Sequence, residues 1–187
     1  MSTIHNINGD LAAASATIKP LDMIPVYIAA DGVSKKMSGA QIKSQQVVAA
    51  GSSLTLTAAA HGGATILLDT LAGSTVTLPA ASGSGVRFRF IVSVLATSNN
   101  HIVKVANASD TMIGIAFGTR VDSGNAVLGF AAQATSDTIT LNRTTTGSVS
   151  LGEWIEVVDE AANKWSVSAF LSATGAAFAT PFSATVS

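Results

Sequence analysis

One short segment holds the densest group of side chains that could do chemistry in this sequence. It contains four carboxylates and two tryptophans: Glu153, Trp154, Glu156, Asp159, Glu160 and Trp165. Two carboxylates facing each other across a cleft, one of them desolvated, would suit glycoside hydrolysis. Successive side chains of a strand point to opposite faces, so Glu153 and Glu156 cannot face one cleft together. We therefore expect a solvated hairpin rim here, with both glutamates exposed.

The three histidines do not form a metal site by spacing. His5, His61 and His101 lie far apart in the chain, and the chain has no cysteine. Structural and catalytic zinc sites draw on closely spaced His and Cys ligands, and that spacing is absent. We expect each histidine to be a turn or strand-end residue, with His101 exposed. We expect no metal and no cofactor.

Two further motifs, a phosphate-binding loop and an aromatic platform, are incomplete. Residues 82–85 read Ser-Gly-Ser-Gly but lack the lysine of a phosphate-binding loop and lead into a strand pattern. Trp154 and Trp165 could form a platform for sugar stacking, yet aromatic residues make up only 5% of the chain. Trp165 shares its strand face with Val167 and Ala169, which favours a core position. The sequence therefore predicts no catalytic residues, and we expect no enzyme.

The elements that must position these residues are strands. Residues 86–94 alternate strictly, with one apolar face and one polar face; the apolar positions are Val86, Phe88, Phe90, Val92 and Val94. This period of two is typical of a strand with one buried face. Further short apolar segments follow, separated by Gly, Asn and Asp, at spacings of a sandwich or barrel. The sequence predicts an all-β fold, an antiparallel β-sandwich or jelly-roll body over residues 51–187.

The first fifty residues differ from the rest. Residues 24–28 form a short extended segment in which Pro25 suits an edge strand, and residues 33–37 can return as a second strand. Ser38 and Gln41 fit a capping box, so we expect helix only after Ser38. This segment is too apolar for a free tail and too small for a core of its own. We expect residues 1–50 to be an extended attachment arm that docks on another protein surface through Ile24, Pro25, Val26, Tyr27, Ile28 and Met37.

The composition favours assembly. Charged residues make up 11% of the chain and the net charge is −1, against roughly 25% charged residues in average soluble proteins. Charge keeps monomers apart, so such a surface is best explained by burial between subunits. The near-neutral balance argues against nucleic-acid binding. Residues 44–68 and 165–187 carry no Asp, Glu, Lys or Arg but are broken by Ser, Thr, Gly or Pro, so we expect no membrane span.

The N-terminal stretch around "IPVYIAADGVSKKMSGAQI" resembles the opening of many tailed-bacteriophage virion proteins. In those proteins a similar segment forms a small attachment element before a β-rich body. The body resembles phage proteins encoded close to the major capsid protein. The matching stretches are residues 75–85, 104–110, 136–142, 164–167 and 179–183.

This resemblance implies a capsid decoration (cement) protein. Such a protein would sit on the outside of the virion head as a homotrimer, with the major capsid protein as its partner, and would have no catalytic residues. The arm would then dock on the capsid or on a neighbouring subunit, with Tyr27 as its central anchor. The alternative is a tail-fibre or receptor-binding virion protein that binds carbohydrate, although no heptad run indicates a shaft.

Overall fold

The computed structural model describes residues 23–28, 33–38, 46–122, 126–175 and 178–186, the first two ranges as backbone only. These ranges contain fourteen strands and one short helix. The strands are β1 (Met23–Ile28), β2 (Val33–Ser38), β3 (Val47–Ala49), β4 (Ser53–Thr55), β5 (Thr65–Leu68), β6 (Thr75–Thr77), β7 (Arg87–Val92), β8 (His101–Lys104), β9 (Thr111–Arg120), β10 (Val127–Ala131), β11 (Thr138–Leu141), β12 (Trp154–Ala161), β13 (Lys164–Ala173) and β14 (Phe182–Ser183), and the helix is α1 (Ala58–His61). The prediction of an all-β fold is confirmed.

The chain divides into two units, residues 1–44 and 45–187. In the first unit β1 and β2 form an antiparallel two-stranded sheet, in which Pro25 pairs with Lys36. Both strands of such a sheet are edges, so the position of Pro25 agrees with its missing N–H donor. β3 lies in the second unit, so the units divide a few residues before the predicted boundary at residue 50. The helix expected after Ser38 falls on residues 39–45, which lie outside the described residues.

The second unit consists of two sheets around one hydrophobic core. The large sheet has the strand order β10-β9-β13-β12-β7-β5-β3, and the small sheet has the order β14-β11-β8-β6-β4. From β3 to β8 the chain alternates between the two sheets, and each strand pairs with the next strand of its own sheet in parallel. These six strands therefore wind as successive turns of a coil. The remaining strands extend both sheets on the other side of β7 and β8.

The predicted antiparallel pairing is wrong for part of both sheets. Parallel pairs join β3 to β5, β5 to β7, β4 to β6, β6 to β8 and β9 to β13. A jelly roll needs antiparallel neighbours in Greek keys, so the coiled half does not follow that connectivity. Alternation of apolar residues indicates which face of a strand is buried, but the alternation is the same whether the neighbouring strand is parallel or antiparallel. From β3 to β8, each parallel crossover is made by a strand of the opposite sheet.

The core confirms the predicted face of β7. Phe88 and Phe90 are completely buried, and Val92 is nearly so. Trp165 of β13 is also completely buried and lies 6.0 Å from Phe88 between ring centroids, which confirms its predicted core position.

The prediction that helix is confined to the stretch following Ser38 in the N-terminal arm is wrong, because α1 lies in the second unit. Thr57 caps this single turn, and its Oγ1 accepts a hydrogen bond from the N–H of Ala60. No helix in the described ranges has the length and hydropathy needed to cross a bilayer.

Candidate functional site

Glu153 is a structural carboxylate, and its predicted exposure is wrong. The side chain is buried. Its two oxygens accept hydrogen bonds from the N–H groups of Ser148 (2.7 Å), Val149 (2.8 Å) and Ser150 (2.7 Å), and from the hydroxyl of Ser172. These donors compensate the cost of burying the carboxylate. Glu153 therefore holds the loop before β12 in place and leaves no oxygen free for acid catalysis.

Glu156 lies on the opposite face of β12, as the alternation predicted. Its carboxylate faces solvent on the outer side of the large sheet, 3.7 Å from Arg87 and 4.0 Å from Arg89. The two glutamates are therefore separated by the sheet and cannot act as an acid pair across one cleft. A solvated rim describes Glu156 correctly but not Glu153.

The Ser-Gly-Ser-Gly loop of residues 82–85 binds the side chain of Asp159. Its carboxylate accepts hydrogen bonds from the N–H groups of Ser82 (2.9 Å), Gly83 (2.8 Å) and Ser84 (3.0 Å), and from both serine hydroxyls. Burial would raise the pKa of Asp159, but these hydrogen bonds outweigh it and lower the pKa to about 2. The loop thus cradles an anion, as phosphate loops do, but the anion is the chain's own side chain.

His101 is a strand-end residue, as predicted, at the start of β8, but it is completely buried. Its Nδ1 accepts a hydrogen bond from the N–H of Ser74 (3.0 Å), and its Nε2 lies 2.9 Å from the carbonyl oxygen of Val94. The ring therefore joins three segments as a neutral imidazole, and burial lowers its pKa. His61 ends α1, and its Nδ1 accepts from the N–H of Thr57. His5 lies outside the described residues.

Acidic and histidine side chains do not gather into a metal-binding group within the described ranges. The two tryptophans lie on opposite faces of the large sheet, Trp165 in the core and Trp154 half-buried outside, so they share no platform.

The predicted docking residues lie in the first unit. Ile24, Pro25, Val26, Tyr27 and Ile28 belong to β1, and Met37 of β2 pairs with Ile24. The backbone register therefore brings these residues into one small sheet.

A row of aromatic side chains crosses the outer face of the large sheet. Strand register places Phe117 of β9 opposite Phe170 of β13, and Phe170 opposite Trp154 of β12. We call these three residues the aromatic row. The ring centroids of Phe117 and Phe170 are 5.4 Å apart, and those of Phe170 and Trp154 are 5.2 Å apart. Phe170 is 53% exposed and Phe117 is 38% exposed.

Both ends of the aromatic row are covered. The guanidinium of Arg89 lies 4.5 Å above the ring of Trp154. At the other end, the ring of Phe117 lies over Gly129 of β10, where a Cβ would come within 3.3 Å of it. Neighbouring rings of the row are tilted to each other by 31° and 33°. Ile115, on the same face of β9, is also exposed and extends the apolar surface.

This arrangement suits contact with a protein better than with a sugar. A sugar ring stacks on an open aromatic face, and the guanidinium of Arg89 covers the face of Trp154. An exposed apolar patch on a charge-poor chain is typical of a surface that another protein covers. The sequence analysis missed the aromatic row because its members are single aromatics on three strands, 16 to 53 residues apart.

Comparisons of this chain with protein-family models, with curated proteins and with solved structures find no match.

Proposed function

We propose that this chain is a structural protein of a tailed-bacteriophage virion that binds the outer surface of the capsid and stabilises it as a cement or decoration protein. The observation that carries the proposal is the exposed aromatic row on a chain with only 11% charged residues. Such a surface is unfavourable on a free monomer and is stabilised by assembly. The resemblance of the N-terminal segment to virion proteins supports a virion as that assembly.

In this proposal one unit forms the trimer and the other binds the capsid. The second unit associates into a homotrimer by burying the outer face of the large sheet, including Ile115 and the aromatic row. The first unit docks on the major capsid protein, where β1 or β2 can add backbone hydrogen bonds to a neighbouring sheet edge. Tyr27 is the expected anchor, because an aromatic side chain buries much area at a small cost in rotamer freedom.

The test is a co-sedimentation assay with capsids that lack this protein. The full chain should bind and raise the temperature at which the capsids lose integrity. Residues 45–187, once shown by circular dichroism to be folded, should remain trimeric but bind much more weakly. Tyr27→Ser in the full chain should weaken binding, with Ser34→Ala as the matched control in the paired strand.

Two results would count against the proposal. Absence of binding to capsids, together with binding to host cells, would favour the receptor-binding alternative. Undiminished binding of residues 45–187 would move the attachment surface from the first unit to the second.

A further inference from the structure

We infer that an open groove beside Arg143 binds the carboxylate of an acidic saccharide. The groove has a volume of about 570 Å³, which is within the range of small-molecule sites. It lies away from the aromatic row, and the inference does not depend on the proposed virion role. One charged side chain, Arg143, lies in this lining among hydroxyl, amide and apolar groups that include Ser52, Thr75, Asn99, Asn100 and Ile102.

Arg143 is the charged residue of this lining, and its electrostatic situation differs from that of the other arginines. Arg87, Arg89 and Arg120 each lie within 4.0 Å of a carboxylate. Arg143 has no such partner in the part of the chain that the structure describes. Its Nη1 donates to the carbonyl oxygen of Thr97 (2.8 Å), and its buried Nε meets no acceptor there. The positive charge is therefore left uncompensated at the groove.

The backbone holds Arg143 in an uncommon conformation. Its φ is 72°, a left-handed value that non-glycine residues rarely adopt. The side chain of Asn142 fixes the loop, because its Oδ1 accepts from the N–H groups of Thr144, Thr145 and Thr146. Backbone strain of this kind persists only where the surroundings determine it, and it often marks a binding site. The loop thus presents a fixed guanidinium.

The opposite wall is also fixed. Gly73 has a φ of 89°, and a Cβ at this position would collide with the carbonyl oxygen of Asn100. Ile102 donates its N–H to the carbonyl oxygen of Ser74, and the buried His101 holds Ser74 from the other side. The groove is therefore largely preformed, so a ligand need not order it on binding.

These features select the ligand class. One guanidinium without a second cation suits a singly charged carboxylate better than a phosphate with two charges. The hydroxyls of Ser52, Thr75 and Ser98 and the amides of Asn99 and Asn100 can hydrogen-bond to the hydroxyls of a sugar. Ala72 and Ile102 give the lining apolar surface as well, which can contact the carbon atoms of the sugar ring.

The test is a titration of the full chain with methyl β-D-glucuronide, followed by saturation-transfer difference NMR. Saturable binding is expected in the millimolar range. The methyl ester of the same sugar, which lacks the charge, should bind at least about tenfold more weakly, because a hydrogen bond to a charged group is lost. Sodium acetate and sodium sulfate separate recognition of the saccharide from recognition of the ion alone.

Two variants locate the site. Arg143→Gln should weaken glucuronide binding at least about tenfold. Asn99→Asp, at an exposed position on the rim, should weaken it by repulsion and keeps the test valid if Arg143→Gln fails to fold. Arg87→Gln removes the same charge from the outer face of the large sheet and should leave binding unchanged. Absence of saturable binding, equal binding by Arg143→Gln or by Asn99→Asp when folded, or equal affinity for acetate or sulfate would overturn the inference.

Discussion

Replacing Asp159 by asparagine tests whether the loop of residues 82–85 is held by a single buried carboxylate. The carboxylate accepts three backbone and two hydroxyl hydrogen bonds. Lowering its pKa from 3.8 to about 2 corresponds to about 2 kcal/mol of stability at neutral pH. The amide of asparagine is uncharged and has one acceptor oxygen, so it cannot replace all of these hydrogen bonds. Because the same hydrogen bonds lower the pKa, we expect Asp159→Asn to reduce the free energy of unfolding by about 2 kcal/mol.

The effect should depend on pH in a defined direction. The folded-state pKa lies below the unfolded one, so the unfolded chain binds a proton first as the pH falls. The contribution of the Asp159 charge is therefore complete above about pH 4 and is lost as the pH falls through about 2. The difference between wild type and Asp159→Asn should be largest at pH 7 and should shrink in acid.

Urea unfolding followed by circular dichroism measures both quantities. The protomer concentration must be equal in all samples, because association adds to apparent stability. Glu160→Gln is the matched control, since it removes a neighbouring charge at an exposed position of β12. A loss below about 0.5 kcal/mol for Asp159→Asn, or a loss that is the same at pH 7 and pH 2, would refute the reasoning.

Three further predictions follow from the described contacts. Phe170→Ser should weaken self-association in sedimentation velocity. The free energy of unfolding of residues 45–187 should change by no more than about 1 kcal/mol, because Phe170 is 53% exposed. Unchanged association would exclude the aromatic row as the interface. Burial lowers the pKa of His101, so the contribution of its neutral ring to stability is present above about pH 6.5 and is lost below it. His101→Gln should therefore flatten the fall in unfolding temperature between about pH 7.5 and 5, and an unaltered profile would contradict this. Gly73→Ala should lower the free energy of unfolding, measured by thermal unfolding, by roughly 1 to 3 kcal/mol, because of the left-handed backbone and the collision with Asn100. Gly63→Ala tests the backbone conformation alone, since a Cβ at Gly63 would meet open space.

The fold class and the buried faces of the strands could be predicted from local sequence patterns. The alternation in residues 86–94 predicted the buried positions of Phe88 and Phe90, and the pattern around Trp165 predicted its place in the core. Pro25 likewise predicted an edge strand. These predictions succeed because burial of alternate side chains is a local property of a strand, visible within a few residues.

The order of the strands and the direction in which neighbours run could not be predicted in this way. An apolar face is satisfied equally by a parallel or an antiparallel partner, so the coil from β3 to β8 leaves no local signal. The same holds for the buried carboxylates, since Asp159 binds donors 75 to 77 residues away in sequence. The aromatic row and the Arg143 groove are likewise made of residues that are unremarkable in their own segments. Strand register and loop closure bring them together, and those depend on the packing of the whole chain.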